Sequence, residues 1–392
     1  MHLLMNAVAR PLSLATLLLV SCSSPTPVQP VDAGPSDMGV VDAGAITPMW
    51  RSGPDFPTPI AFGSAMILPG PDSSPYLYAV GGVSSGYPIA GPFHAEIWRS
   101  QIQGDNSLGP WQAAGHISNG GSDLALAGHG AIRIYMDGTN ANGLAIAGGG
   151  GPGGTLPLVL AGYVQSVDGS LGGWGAFPPR ISMAQGGQVF GSFNSFEAHQ
   201  LALVGGLQGS TPTDHVIIAQ TMAGTMVPTW LDGPHLPAAR FGHGTVQSGT
   251  VGAQDIYVIG GNGATGPISE VLCTVRDATS MAVTGWATAG FLTQPVVFPQ
   301  TVLINSHVYV MGGIPGDPVI DDVIARVRMA TLTHGATGGT ISTFADVPTG
   351  ALPAGRAGGL VASIGPWVYI VGGLMGSPHT ASASVIYARM EQ

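Results

Sequence analysis

From Met49 onward the chain alternates short apolar runs with turns rich in glycine and proline. Six such runs, Tyr76–Val80, Leu144–Ala147, Leu201–Val204, Ile256–Ile259, Val308–Met311 and Trp367–Val371, each lead into a glycine doublet. The doublets are Gly81-Gly82, Gly148-Gly149, Gly205-Gly206, Gly260-Gly261, Gly312-Gly313 and Gly372-Gly373, and successive ones lie 67, 57, 55, 52 and 60 residues apart. Tyr78, Tyr257, Tyr309 and Tyr369 stand three positions before their doublets, where the other two units have Ala145 and Ala202. Short apolar runs closed by paired glycines predict central strands whose ends need positive φ or a close backbone approach.

A second series interleaves with the first. Trp50, Trp111, Trp174, Trp230, Trp286 and Phe344 are spaced by 61, 63, 56, 56 and 58 residues, and each precedes the next doublet by 26 to 37. Between doublet and aromatic lies another strand-like run: Glu96–Ile102, Leu158–Val164, His215–Ala219, Glu270–Val275, Asp322–Val327 and Ser384–Ala388. Turn pairs such as Asp105-Asn106 and Asp168-Gly169 connect these runs to the aromatic strand, as hairpin chemistry requires. Each unit therefore reads as a four-stranded meander, and a period of this length predicts propeller blades rather than solenoid coils.

The doublet, tyrosine and tryptophan pattern resembles the kelch repeat and covers residues 49–392. The resemblance implies an all-β, six-bladed β-propeller of kelch-like four-stranded blades. The units are longer than the common repeat, two lack the tyrosine, and Phe344 replaces a tryptophan. The last unit ends after Val385-Ile386-Tyr387 without its own tryptophan, whereas Trp50 comes before any doublet. Strand Met49–Ser52 is thus expected to complete the final blade beside the C-terminal strand, closing the ring with a ladder.

Composition adds the setting. Charged residues make up only 8% of the chain and hydrophobic ones 45%, with 62 glycines and 32 prolines, too apolar a mixture for a disordered polymer. All 11 basic residues are arginine, and 21 acids bring the net charge to −10, which argues against nucleic acid as a partner. Residues 1–22 read as a lipoprotein signal peptide, with Arg10, the apolar run Leu12–Val20, then Ser21 and Cys22. The order Leu19-Val20-Ser21-Cys22 resembles a bacterial lipobox, which implies that Cys22 is lipidated. Ser23 after it points to the outer membrane or cell surface, with membrane contact through the lipid anchor only. Residues 23–48, rich in Pro, Ser and Ala-Gly, are expected to form a flexible linker. Cys273 is then the one remaining cysteine, without an intramolecular disulfide partner.

Candidate chemistry is sparse. Gly82-Val83-Ser84-Ser85-Gly86 matches G-x-S-x-G, but a nucleophile elbow needs a strand-to-helix turn, and a proline-punctuated segment leading into another strand follows here. The two G-x-G-x-x-G matches, Gly149 to Gly154 and Gly261 to Gly266, likewise lack a following helix to hold a phosphate. Histidine spacing carries no metal signature, Cys273 reads as a small buried hydrophobe, and Asp317, Asp321 and Asp322 read as a solvated turn. No catalytic residue, metal or cofactor is assigned. The entering strands, clearest in Leu236–Gly244 and Leu352–Gly359, place Arg240, His243 and Arg356, with the analogous His129 and Gln300, as candidate ligand-binding residues at the channel mouth. The alternative for the arginines is that they satisfy backbone carbonyls between blades. Arg180 lies near the same place but out of register.

The resulting expectation is a cell-envelope binding or scaffold module contacting protein or glycan at the cell surface. The rival is a carbohydrate-active enzyme, since the chain also looks like the kelch propellers of bacterial sialic acid epimerases and of galactose oxidase. For the first, arginine, histidine and glutamate would be expected at the channel, and Glu96, Glu197 and Glu270 fall on outer strands or loops. An acid/base pair in the channel would favour the enzyme.

Overall fold

The computed structural model describes residues 17–18 and 48–390, apart from 137–140, 156, 158, 177–187, 198–199, 221–228, 251–252, 281 and 336–337. Cys22, nearly all of the leader and linker, and Arg180 lie outside the described residues. Among the described residues every regular element is a strand. They form six antiparallel blades around an axis, a six-bladed β-propeller.

The first blade runs Ser64–Pro69, Pro75–Val83, Phe93–Gln101, Gln112–His116 from the axis outward. The second is Ala127–Met136, Ala141–Gly151, Val159–Val164, Leu171–Ala176; the third is Ser192–Glu197, Gln200–Val204, Val216–Gln220, Thr229–Asp232. The fourth is Gly244–Thr250, Ala253–Ile259, Glu270–Arg276, Val283–Phe291, and the fifth is Gln300–Ile304, His307–Met311, Val327–His334, Ala345–Asp346. The sixth takes Leu360–Ile364, Trp367–Val371 and Val385–Arg389 from the C-terminus and Arg51–Ser52 from the N-terminus. Arg51 pairs with Tyr387 and Ser52 with Ile386, so the ring closes as the repeat phase requires.

One strand differs from the sequence expectation. In the fifth unit the third strand is Val327–His334 rather than 322–327. Residues 322–326 instead run beside the doublet, with Ile324 N–H donating to the Gly313 carbonyl and Gly312 N–H to the Arg326 carbonyl. The turn before them is built by Asp317 and Asp321, whose carboxylates accept from the Val319 and Asp317 amides.

The sequence markers turn out to join blades. Both glycines of every doublet have positive φ, for example 60° and 94° at Gly312 and Gly313. A Cβ on Gly312 would lie 2.2 Å from the Arg356 carbonyl oxygen, so the doublet also needs the close approach that only glycine allows. The second glycine donates to the next blade's entering segment: Gly82 to Leu126, Gly206 to Arg240, Gly261 to Val296, Gly313 to Arg356, Gly373 to Ile60. The tyrosines reach the same way. Tyr78 donates to the Gly169 carbonyl (2.7 Å), Tyr369 to Asn106 (2.9 Å) and Tyr309 to Met390 (3.2 Å), each on the following blade. The indole N–H groups of Trp111, Trp286 and Trp50 donate to Pro54, Pro234 and Gly350, on the segments that enter their blades. Phe344 has no such donor and is simply buried. Cys273 is buried in the same apolar cluster, where burial raises its thiol pKa.

Candidate functional site: the axial channel

Where the chain enters each inner strand, one residue per blade turns into the left-handed region: Phe62 (φ 57°), Gly128 (66°), Phe190 (58°), Gly242 (61°), Phe298 (54°) and Gly358 (59°). Their peptides form a closed ring of hydrogen bonds about the axis. Phe62 N–H donates to Gly358 O, Gly128 to Phe62, Phe190 to Gly128, Gly242 to Phe190, Phe298 to Gly242 and Gly358 to Phe298, all at 2.7–3.0 Å. The three phenyl rings meet in T-shaped pairs, each pair 4.9 Å between centroids, a favoured aromatic geometry. Phenylalanine and glycine alternate because the axis has room for three rings: a Cβ on Gly358 would sit 2.3 Å from Phe62 Cε1. Tyr87, on the loop after the first doublet, lies against all three rings at 5.2–6.3 Å. The axis is plugged at this level.

Beyond the plug the inner strands enclose a small chamber of about 130 Å³, lined by His129, His243, Pro299 and the plug itself. Further along the same strands is a cavity of about 490 Å³. It is lined by uncharged polar side chains, among them Asn194, Thr245, Gln247, Ser248, Thr301 and Ser363, and by aliphatic ones. Arg133 is the single charged residue on the described lining. Its Nη2 donates to Asn142 Oδ1 at 2.7 Å, while its Nε is buried without a partner. No carboxylate or histidine lines this larger cavity among the described residues.

Of the residues expected at the channel mouth, His129 and His243 stand on the lining of the small chamber behind the plug, with their ring Cε1 atoms turned toward Gly81 and Gly205 of the preceding blades' doublets. Both ring nitrogens of His129 are buried without a partner, and burial pushes its pKa down from 6.5 to about 4. Burial, then the neighbouring Arg240, lowers His243 in the same way; its Nε2 lies 3.1 Å from Ser192 Oγ. Arg240 and Arg356 do not converge on the axis. Arg240 is fully buried in the fourth blade, bonded to the Glu270 carboxylate at 2.9 Å and to the Gly260 and Glu270 carbonyls. Arg356 donates to Gly372 O, Ser384 O and Ser384 Oγ in the sixth. They serve the carbonyls left where the doublet ends the second strand, in keeping with the rule that buried polar groups are paired. Glu270, half-buried at the start of a third strand, is thus the counter-ion of Arg240. Gln300 is also internal. In the orientation that satisfies both ends of its amide, it donates to Met311 O and accepts from the Gly358 and Gly359 amides at 3.0–3.1 Å.

The buried histidines make stability depend on pH. Unfolded, His129 binds a proton below about 6.5; folded, it resists until about 4. In that window the unfolded state holds more protons, so stability falls as pH falls, by up to about 1.4 kcal/mol per pH unit for one such group. Urea midpoints should decline from pH 6.5 to about 4, and His129→Gln should flatten that decline. An identical slope in the variant would contradict this assignment.

One cluster was invisible in the sequence spacing. Asp214, His215 and His235 bring their ligating atoms within 4.8 Å of one another. His235 Nδ1 lies 3.3 Å from Asp214 Oδ2, and the two imidazole rings are 4.9 Å apart. These residues offer two nitrogens and one oxygen, a donor set suited to Zn²⁺. His235 comes from the crossover into the fourth blade, so no short motif links it to the other pair.

The architecture is that of a six-bladed β-propeller. No family model matches the chain, and no curated protein matches it. A solved structure described as "Structure of YjhT" is similar with a TM-score of 0.59 over 85% of this chain and 96% of that one. At 13% identity the likeness establishes the fold alone.

Proposed function

We propose that the protein is an envelope-anchored kelch-type binding module whose axial cavity takes a small polar ligand of the saccharide class. Cys22 would carry the lipid anchor, residues 23–48 would hold the propeller away from the membrane, and the open end of the channel would meet the ligand. The observation that carries this reading is the cavity: about 490 Å³, stopped by the phenylalanine plug, and lined, among the described residues, by hydroxyl, amide and apolar groups with a single cation. Such neutral donors and acceptors suit hydroxyl-rich ligands, and Arg133, the one charged residue on the described lining, favours one bearing a carboxylate. A sugar-transforming enzyme would need an acid/base pair in this cavity, which the described lining lacks.

Purified protein titrated against neutral and acidic oligosaccharides should bind an acidic member. Arg133→Gln should weaken that binding roughly tenfold, the scale of one charge-assisted hydrogen bond. Silence across both classes by calorimetry would overturn the reading.

A further inference from the structure

The G-x-S-x-G segment discounted on sequence grounds acquires partners in the fold. Ser84 follows directly on the second strand of the first blade, and His94 and Glu96 lie on the third, on the same face two residues apart. Ser84 Oγ is 2.6 Å from His94 Nε2, and His94 Nδ1 is 3.3 Å from Glu96 Oε2. The cross-strand partner of His94 is Gly82, whose missing side chain leaves the imidazole space to lean toward Ser84. The backbone around the serine is fixed: Ser84 N–H donates to Pro92 O, and the Ala90 amide donates to Ser85 Oγ. Glu96 Oε2 also accepts from the Ala95 amide at 3.1 Å. Burial would raise the Glu96 pKa, but hydrogen bonds from its own and the Ala95 amide, with His94, hold it below the usual carboxylate range.

These contacts follow the order of a hydrolytic relay: hydroxyl, imidazole, carboxylate. In the tautomer that donates Nδ1–H to the Glu96 carboxylate, Nε2 is the acceptor that faces Ser84. In the resting arrangement Ser84 Oγ donates to the Pro59 carbonyl at 2.6 Å, so the hydroxyl turns from Pro59 to His94 Nε2 before its proton is transferred. The amides of Ser85 and Gly86, next in the chain, make no hydrogen bond among the described residues and are the donors available to an oxyanion.

We propose that Ser84, His94 and Glu96 form a serine-hydrolase centre for small acyl esters, on the plugged face of the disc and separate from the axial cavity. Ser84 Oγ attacks the ester carbonyl carbon and passes its proton to His94 Nε2. The new O–C bond forms as the carbonyl π pair moves to oxygen. Collapse then breaks the ester C–O bond, and the leaving alcohol takes the proton from His94. Water repeats the sequence on the acyl-serine, releasing the carboxylic acid and restoring Ser84. Two features select small esters. The side chain of Glu96 is 48% exposed, which weakens its support of the imidazolium and suits an alkoxide leaving group better than an amide. The loop is closed against the sixth blade, where Gly86 packs so tightly on the His379 carbonyl that a Cβ would sit 2.0 Å from its oxygen.

The test uses the full chain with p-nitrophenyl acetate and a fluorophosphonate probe. Expected are turnover and a single phosphonylated peptide carrying Ser84. Ser84→Ala should abolish labelling and lower kcat/KM at least tenfold; His94→Gln, which retains a hydrogen-bonding side chain, should do likewise through loss of the general base. Glu96→Gln should lower kcat with little change in KM. Melting curves check that the variants fold, and saccharide binding at the axial cavity should be unchanged in all three. The proposal falls if label lands on another residue, if the wild-type chain does not react, or if folded His94→Gln hydrolyses the ester at the wild-type rate.

Discussion

A chain lacking residues 49–56 should melt at least ~10 °C below the full protein, the result expected if the N-terminal strand is the latch of the ring. The segment supplies the outer strand of the sixth blade through Arg51 and Ser52, and Gly53 and Phe56 extend the contact by donating to Val385 O and Ala383 O. Trp50 bonds Gly350 O, and Arg51 lies 5.7 Å over the Trp367 ring. Phe56 is only 5% exposed, with its ring T-stacked on Trp111 at 4.9 Å in a cluster shared by the first and sixth blades. Loss of a buried phenyl alone costs about 3–5 kcal/mol, and each lost hydrogen bond adds about 1 kcal/mol. Global stabilities lie near 5–15 kcal/mol, and a protein of this size shifts roughly 2 °C per kcal/mol. The deletion therefore removes a large share of the total. Differential scanning calorimetry decides the matter, and a melt within ~3 °C of the full chain would show that the ring holds without its latch. Phe56→Ala should give about half the effect, because it takes the core contact and leaves the ladder.

That latch was readable because repeat phase is a counting property. Glycine doublets, tyrosines and tryptophans recur at intervals that fix blade number and the odd strand out, whatever the side chains do. Direction is a different quantity. Arg240 and Arg356 occupy equivalent positions on the strands that approach the axis, which suggested a basic channel. Their side chains instead turn back to the Gly260 and Gly372 carbonyls, since six paired glycines leave carbonyls that need donors. His129 and His243, which follow the left-handed Gly128 and Gly242, turn their rings toward the doublet glycines Gly81 and Gly205 of the preceding blades. The plug itself was spelled out as Phe-Gly, Gly-His, Phe-Gly, Gly-His, Phe-Pro and Gly-Gly at the entries to the six inner strands. It escaped notice because its alternation spans two blades while the repeat spans one. The partners of Ser84 were hidden for a third reason. A nucleophile motif is tied to one local fold, whereas here the imidazole arrives ten residues later on the neighbouring strand.

Substitution of Gly358 by alanine should destabilise the plug far more than a left-handed glycine elsewhere, and most of the excess should vanish when Phe62 is removed. Any Ala at φ 59° bears a backbone strain of about 1–2 kcal/mol. At Gly358 the added methyl also meets Phe62 Cε1 at 2.3 Å and Cδ1 at 2.6 Å, with no slack because Phe62 is held by Phe190 and Phe298. Overpacking of this kind costs a further 1–3 kcal/mol or so. Phe62→Ala by itself should cost about 3–5 kcal/mol for the lost rings' contacts. In the double variant the methyl enters the space the phenyl left, so only the backbone strain is added. The double loss should thus fall short of the sum of the singles by ~1 kcal/mol or more, the signature of direct contact. Gly209→Ala is the control: its φ is 63°, yet nothing lies within 4 Å of the added carbon. It should cost only the strain and add to Phe62→Ala without coupling. Urea denaturation of the five variants tests this directly. Strict additivity for Gly358 and Phe62 would mean that the three rings do not fill the axis, and that the cavity behind them is open at both ends.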